Sequence, residues 1–297
     1  MSERIEFYKN RSIGERLSVA FDFLRQNWKV LYKNILMGGL PIAIIMGYLI
    51  AQVTYARAVI AFDISHFLLF YFLLLLVSFI NSIYLYSMTG AVLFHYDRKL
   101  LTETTGWNQL KGAFFRFAGK TALITILVSI PILIVVVIFA ALIGVSASFS
   151  LSGLQGGAFI SILLFIFLLF GLILVFAPFL SIVYFPAYFS GKTSAESISS
   201  AFKLGFKNWG SLFVAIILSV ILLIIISIFF SLPFEIVMII SQGQVSILFY
   251  IFAILSAIGT LLLYPIVTVI FAFQYFSIVE KDEGVSLQSR VDEFENL

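Results

Sequence analysis

The sequence predicts an all-α membrane protein with six transmembrane helices and both termini in the cytoplasm. Three observations predict it. The chain of 297 residues is 62% hydrophobic and only 11% charged, where an ordinary soluble domain carries about 25% charge. Its apolar residues are contiguous: Thr121 to Gly191 contains no charged side chain, and Asn208 to Val279 contains only Glu235. A run of about 20 such residues is enough to cross the hydrocarbon core. Finally, of 18 Lys and Arg residues all but Arg57 fall on one side of the apolar ladder, and basic residues flanking apolar spans stay on the cytoplasmic side.

The spans are expected at 35–56, 67–94, 121–145, 159–189, 211–231 and 247–279. Arg4, Lys9, Arg11, Arg16, Arg25, Lys29 and Lys33 precede the first. Arg98, Lys99, Lys111, Arg116 and Lys120 lie between the second and third, and Lys192, Lys203 and Lys207 between the fourth and fifth. Lys281 and Arg290 follow the sixth. The outer loops are short, with Arg57, Asp63 and His66 in the first. No secretory leader is expected, because the first 34 residues are rich in both charge signs where an apolar leader would sit. The sixth span, 247–279, would run about 50 Å against about 30 Å of hydrocarbon, so tilt, kink or extension must absorb the excess. Pro178, Pro186 and Pro265 are natural kink points.

Each odd-numbered span is preceded by an amphipathic segment, and these segments repeat. In the first, Ile13, Leu17, Ala20, Phe21, Leu24, Trp28 and Leu31 share a helical face. A shift of 93 places Leu110, Ala113, Phe114, Phe117 and Ile124 in matching positions, and a shift of 181 does so for Ile198, Ala201, Phe202, Gly205, Trp209 and Leu212. Capping boxes open the first and third copies, Ser12 with Glu15 and Thr193 with Glu196, and Thr105 holds the place in the second. A shift of 270 sets Asp282 at a fourth cap, with Leu287, Val291 and Phe294 on its stripe. The expected architecture is one polytopic domain, 1–297, of three hairpins each preceded by a cytoplasmic interfacial helix. The units are 12–94, 105–189 and 193–279, with a tail at 280–297. Such helices lie along the membrane with basic groups toward anionic headgroups, and Trp28, Trp107 and Trp209 sit at that level.

Polar residues inside the spans are few. Glu235 reads as the first turn of a short outer helix opened by Pro233, or as an ion or proton site. Gln52 and Asn81 are candidates for hydrogen bonds between helices. Gly38, Gly39, Gly47, Gly90, Gly171 and Gly259 read as sites of close backbone approach. The two histidines, His66 and His95, fall on opposite sides of the membrane and cannot share a metal, while His95 reads as part of a solvated helix end. Zero cysteines excludes disulfides and thiolate chemistry. No phosphate-binding glycine loop occurs, and no compact basic domain offers a nucleic-acid surface.

The run from Ser197 to Phe202 through Asn208-Trp209, and Phe273 to Ser277 leading into an acidic tail, resemble a group of bacterial six-span proteins. The group includes the membrane domain that accompanies some glycerophosphodiester phosphodiesterases. The resemblance implies that this membrane part is not the catalytic part, and no phosphodiesterase domain is expected between the last span and Leu297.

The functional expectation is a non-enzymatic accessory, scaffold or envelope-biogenesis component of a bacterial cell membrane, without cofactor or metal. Its partners would be the lipid bilayer and a cytoplasmic or membrane protein, met through Phe21, Trp28, Phe114, Phe202 and Trp209. The alternative is a transporter or channel with Glu235, Gln52 and Asn81 along its path. An enzyme could be placed only around His95 and Asp97, without the paired groups catalysis needs.

Overall fold

The computed structural model describes residues 4–58, 64–150, 157–240 and 246–285. Among them no strand occurs; the elements are α1 (Ile13–Ala58), α2 (Ile64–Asp97), α3 (Trp107–Ser150), α4 (Gly157–Ile182), α5 (Phe185–Phe189), α6 (Ser194–Lys207), α7 (Trp209–Ile240) and α8 (Ile247–Glu283). Six helical stretches are long and apolar enough to cross a membrane, the fourth running from Ile166 through α5 to Phe189. The break before α5 falls just ahead of Pro186, whose ring removes the backbone donor that a continuous helix needs.

Two of the three expected interfacial helices are not separate elements. The first amphipathic segment is continuous with its span in the 46 residues of α1, which extend about 69 Å. The second is likewise part of α3. Both helices run on unbroken although Gly38, Gly39 and Pro41 lie at the first junction and Gly119 at the second. Only the third copy is set apart, with Asn208 standing between α6 and α7. Its capping box is complete, as is that of Ser12 and Glu15, where Ser12 N–H donates to Glu15 Oε2 at 2.7 Å. Thr105 caps no helix: its hydroxyl accepts from Thr102 N–H at 2.8 Å, and Gly106, bonded through its N–H to Gln109 Oε1 at 2.6 Å, precedes α3 instead.

Two further expectations fail. Pro233 lies inside α7 and starts no outer helix, so Glu235 is mid-helix rather than in a first turn. Asp282 lies in the last turn of α8, which Gly284 ends with a left-handed φ of 61°. The rest of the proposed tail helix, including Leu287, Val291 and Phe294, is outside the described residues.

The chain forms two compact units, residues 1–119 with 217–297, and residues 120–216. In the first, α1 packs on both α2 and α8, and α2 packs on α8. The core gathers at the basic end: Ala20, Phe23, Leu24, Leu31 and Ile35 of α1, Leu85, Met88 and Leu93 of α2, and Phe273 and Phe276 of α8 are buried. Phe23 stands off the stripe read from the sequence, whereas Phe21 and Trp28 on that stripe are exposed. Wedged between two helices, α1 buries an arc centred on Ala20, Phe23 and Leu31 rather than the most apolar arc. Toward the other end of α2, Leu68, Leu69, Phe72, Leu75 and Leu76 are exposed, the surface expected of helices solvated by lipid.

In the second unit α6 doubles back along α4 and α5. Ser197 Oγ donates to Val183 O at 2.7 Å and accepts from Ala187 N–H at 3.0 Å. Two turns later, a Cβ added at Gly205 would lie 2.9 Å from Phe179 Cα, so the helix backbones touch there. Lys120 Nζ donates to Ala187 O at 2.8 Å and Lys192 O at 2.9 Å, and Thr125 Oγ1 bonds Tyr184 Oη at 3.0 Å. α6 therefore runs in the opposite direction to α4.

Candidate functional site

The basic end of each unit leaves aromatic side chains uncovered beside cations. On α1, Phe21 is 45% and Trp28 54% exposed, with Arg25 and Lys29 exposed beside them. Seven residues separate the two rings, so they lie on one side of the helix about 10 Å apart. Lys29 Nζ stands 6.0 Å from the centre of the Trp28 ring, and Arg25 pairs with Asp22 at 3.0 Å. On α6, Phe202 is 47% exposed, with Phe206 exposed at a ring distance of 4.5 Å, and Lys203 and Lys207 are exposed between and after them. Trp209, again seven residues beyond the phenylalanine, is also exposed and stacks on Phe213 at 4.7 Å.

The second copy departs from this pattern. Phe114 is only 9% exposed, its ring 5.7 Å from Tyr84 and 5.1 Å from Trp107. Phe115 is 64% exposed in its place. One residue turns a helix by about 100°, and the presence of Tyr84 on α2 draws Phe114 inward. The Phe114-Phe115 doublet was the only sequence signal that either ring could take the outward position.

Of the three residues read as a transport path, Gln52 and Glu235 each adjoin the cluster of Ala51, Phe234, Phe249 and Ala253, and Asn81 is on α2. Gln52 Nε2 donates to Tyr250 Oη at 3.1 Å, joining α1 to α8 as expected of a bond between helices. Asn81 is buried on α2, and its Oδ1 has no donor among the described residues. Glu235 is exposed on α7. No hydrogen bond among the described residues joins any two of them. His95, read as a solvated end, is buried; its Nδ1 donates to Ala91 O at 2.9 Å, which leaves Nε2 as the other ring nitrogen.

Six apolar helices of spanning length define a multi-pass integral membrane protein. No family model, no curated protein and no solved structure matches the chain. The likeness to bacterial six-span proteins therefore rests on the residues quoted for it alone.

Proposed function

We propose that this protein is a non-enzymatic accessory or scaffold of a bacterial cell membrane, with both termini in the cytoplasm, that docks a partner protein at its basic end. The observation that carries the reading is the recurrence of an exposed phenylalanine seven residues before an exposed tryptophan, at Phe21 with Trp28 and Phe202 with Trp209. Indole rings favour the headgroup region, so Phe21 lies about 10 Å farther along α1 than Trp28, beyond the reach of lipid tails. Phe202 is on α6, apart from Trp209 on α7, with its ring 5.7 Å from Phe179 of α4. Exposed aromatic rings rimmed by cations are the usual make-up of a protein-binding patch. Phe115 supplies the corresponding ring on α3.

Affinity purification from native membranes after mild cross-linking tests this. A stoichiometric partner should be captured by the wild-type chain and lost from a Phe21→Ser, Phe115→Ser, Phe202→Ser variant that inserts normally. Normal partner capture and function in that variant would overturn the reading.

The transporter reading draws on one observation, the unpartnered carbonyl oxygen of Asn81 inside a spanning helix, since buried polar groups at that depth are costly and often functional. It requires solute flux in reconstituted vesicles that falls on Asn81→Ala or Glu235→Gln. Absence of flux across solute classes leaves it without support.

A further inference from the structure

Residues 4–12 precede α1 and form no helix, yet they are seated on the first unit as a peptide is seated in a receptor. Phe7 is the anchor, 4% exposed. Its ring stacks on Tyr96 at 5.5 Å and meets Phe276 at 4.6 Å, Phe273 at 5.2 Å and Phe23 at 6.1 Å. Those four side chains come from α1, α2 and α8, which pack on one another independently of the segment. The groove is thus a product of the helices, and the segment fills it.

The remaining contacts are of the kind that select a sequence. Arg4, three residues before the anchor, donates through its guanidinium to the carbonyls of Tyr96 and Asp97 at the end of α2. Terminal helix carbonyls carry the negative end of the helix dipole, so a cation is favoured there, although Tyr96 O also accepts Lys99 N–H at 3.1 Å. Ile5 N–H donates to Tyr96 Oη at 2.9 Å, and Arg11 N–H donates to Ser277 Oγ at 3.0 Å. Arg11 also donates to Glu6 O at 2.5 Å and Phe7 O at 3.2 Å, bracing the segment in its own bend. Glu6 and Lys9 are exposed and unconstrained by the groove.

We infer that the groove between α1, α2 and α8 is a peptide-recognition site for a segment with an aromatic anchor three residues after an arginine, and that the chain's own Arg4–Arg11 is its internal occupant. The partner that fits is a protein segment of that pattern, which enters only when the internal one is displaced. A tethered occupant competes at an effective concentration of about a millimolar, so the site is closed to weak ligands and open to tight ones. This surface is separate from the exposed Phe21 and Phe202 patches, and its test reads neither of them.

The probe is a fluorescent, end-blocked peptide of residues 4–12, titrated by anisotropy against the full chain in nanodiscs. The Phe7→Ala chain should bind it saturably, and the wild-type chain at least roughly tenfold more weakly because of tethered competition. A peptide carrying Phe7→Ala should bind the Phe7→Ala chain at least roughly tenfold more weakly than the native peptide, since it lacks the buried ring. No saturable binding to a Phe7→Ala chain that unfolds cooperatively, or equal binding of the two peptides, overturns the proposal. Should Phe7→Ala not fold, a spin label on Glu6→Cys, unique because the chain has no cysteine, gives a second reading. Excess native peptide should raise the label's mobility, and an unchanged spectrum overturns the proposal.

Discussion

Tyr84 of α2 reaches into the backbone of α1: its Oη lies 2.8 Å from Asn34 O and 3.0 Å from Ile35 O, and accepts Gly38 N–H at 3.2 Å. The ring can come this close because residue 38 is glycine; a Cβ there would stand 2.8 Å from the phenolic oxygen. The hydroxyl satisfies backbone groups of a helix in an apolar setting, and a hydroxyl buried without partners is costly. Tyr84→Phe should lower stability by about 1–2 kcal/mol, read as a reduced Tm in detergent with unchanged insertion. Gly38→Ala should cost at least as much, because the ring must withdraw.

A sharper contrast is expected among the glycines. A Cβ on Gly47 would overlap the backbone of Ile254, lying 2.7 Å from its nitrogen, whereas Gly112, Gly119 and Gly171 have nothing within 4 Å. Gly47→Ala should separate α1 from α8 and lower the unfolding temperature. Alanine at Gly112 or Gly119 should be neutral or stabilising by up to about 1 kcal/mol, since it favours the helix. Equal effects at all three would mean that α1 and α8 do not approach as described.

The adjacent phenylalanines of α3 should behave oppositely. Phe114→Ala empties a buried site against Tyr84 and Trp107 and should cost about 3 kcal/mol. Phe115→Ala should leave the unfolding temperature nearly unchanged and act only on partner capture. Reversed costs in a thermal melt would place Phe114, and not Phe115, on the surface.

The cap of α6 carries a pH signature. Thr193, first through its backbone N–H and then its hydroxyl, donates to Glu196 and holds its carboxyl below the usual carboxylate range. A carboxylate whose folded pKa is depressed contributes stability that is present above its unfolded pKa. That contribution is lost as pH falls through the folded value. Glu196→Gln should therefore flatten the acid limb of the stability profile of this unit while leaving neutral pH less affected than Thr193→Ala, which removes the cap for about 1 kcal/mol.

Orientation is open to a direct test because the chain lacks cysteine. With both termini inside, a thiol introduced at Ser65 should react with an impermeant reagent added to whole cells. One at Lys99, at the opposite end of α2, should react only after permeabilisation. The reverse pattern would invert the topology.

The six spans were legible because apolar length is a sum over neighbours in the chain, insensitive to what packs beside them. The boxes at Ser12 and Thr193 were legible for the same reason, since donor and acceptor lie three residues apart. Of the glycines read as backbone contacts, Gly47 meets the backbone of Ile254, Gly38, Gly39 and Gly259 meet the side chains of Tyr84, Leu261 and Phe230, and Gly171 faces open space. Nothing in its flanking residues distinguishes it from the others.

The sequence by itself determined the class of this protein, its number of apolar helices and the side of the ladder on which nearly all its cations gather. Tertiary structure alone decided that Phe23 and Phe114 are buried while Phe21 and Phe115 are not. It alone seated Phe7 among Phe23, Tyr96, Phe273 and Phe276, residues up to 269 positions away. Hydrophobicity says only that a side chain avoids water. In a chain that meets lipid as well as its own helices, the neighbour across the interface decides which of the two covers it.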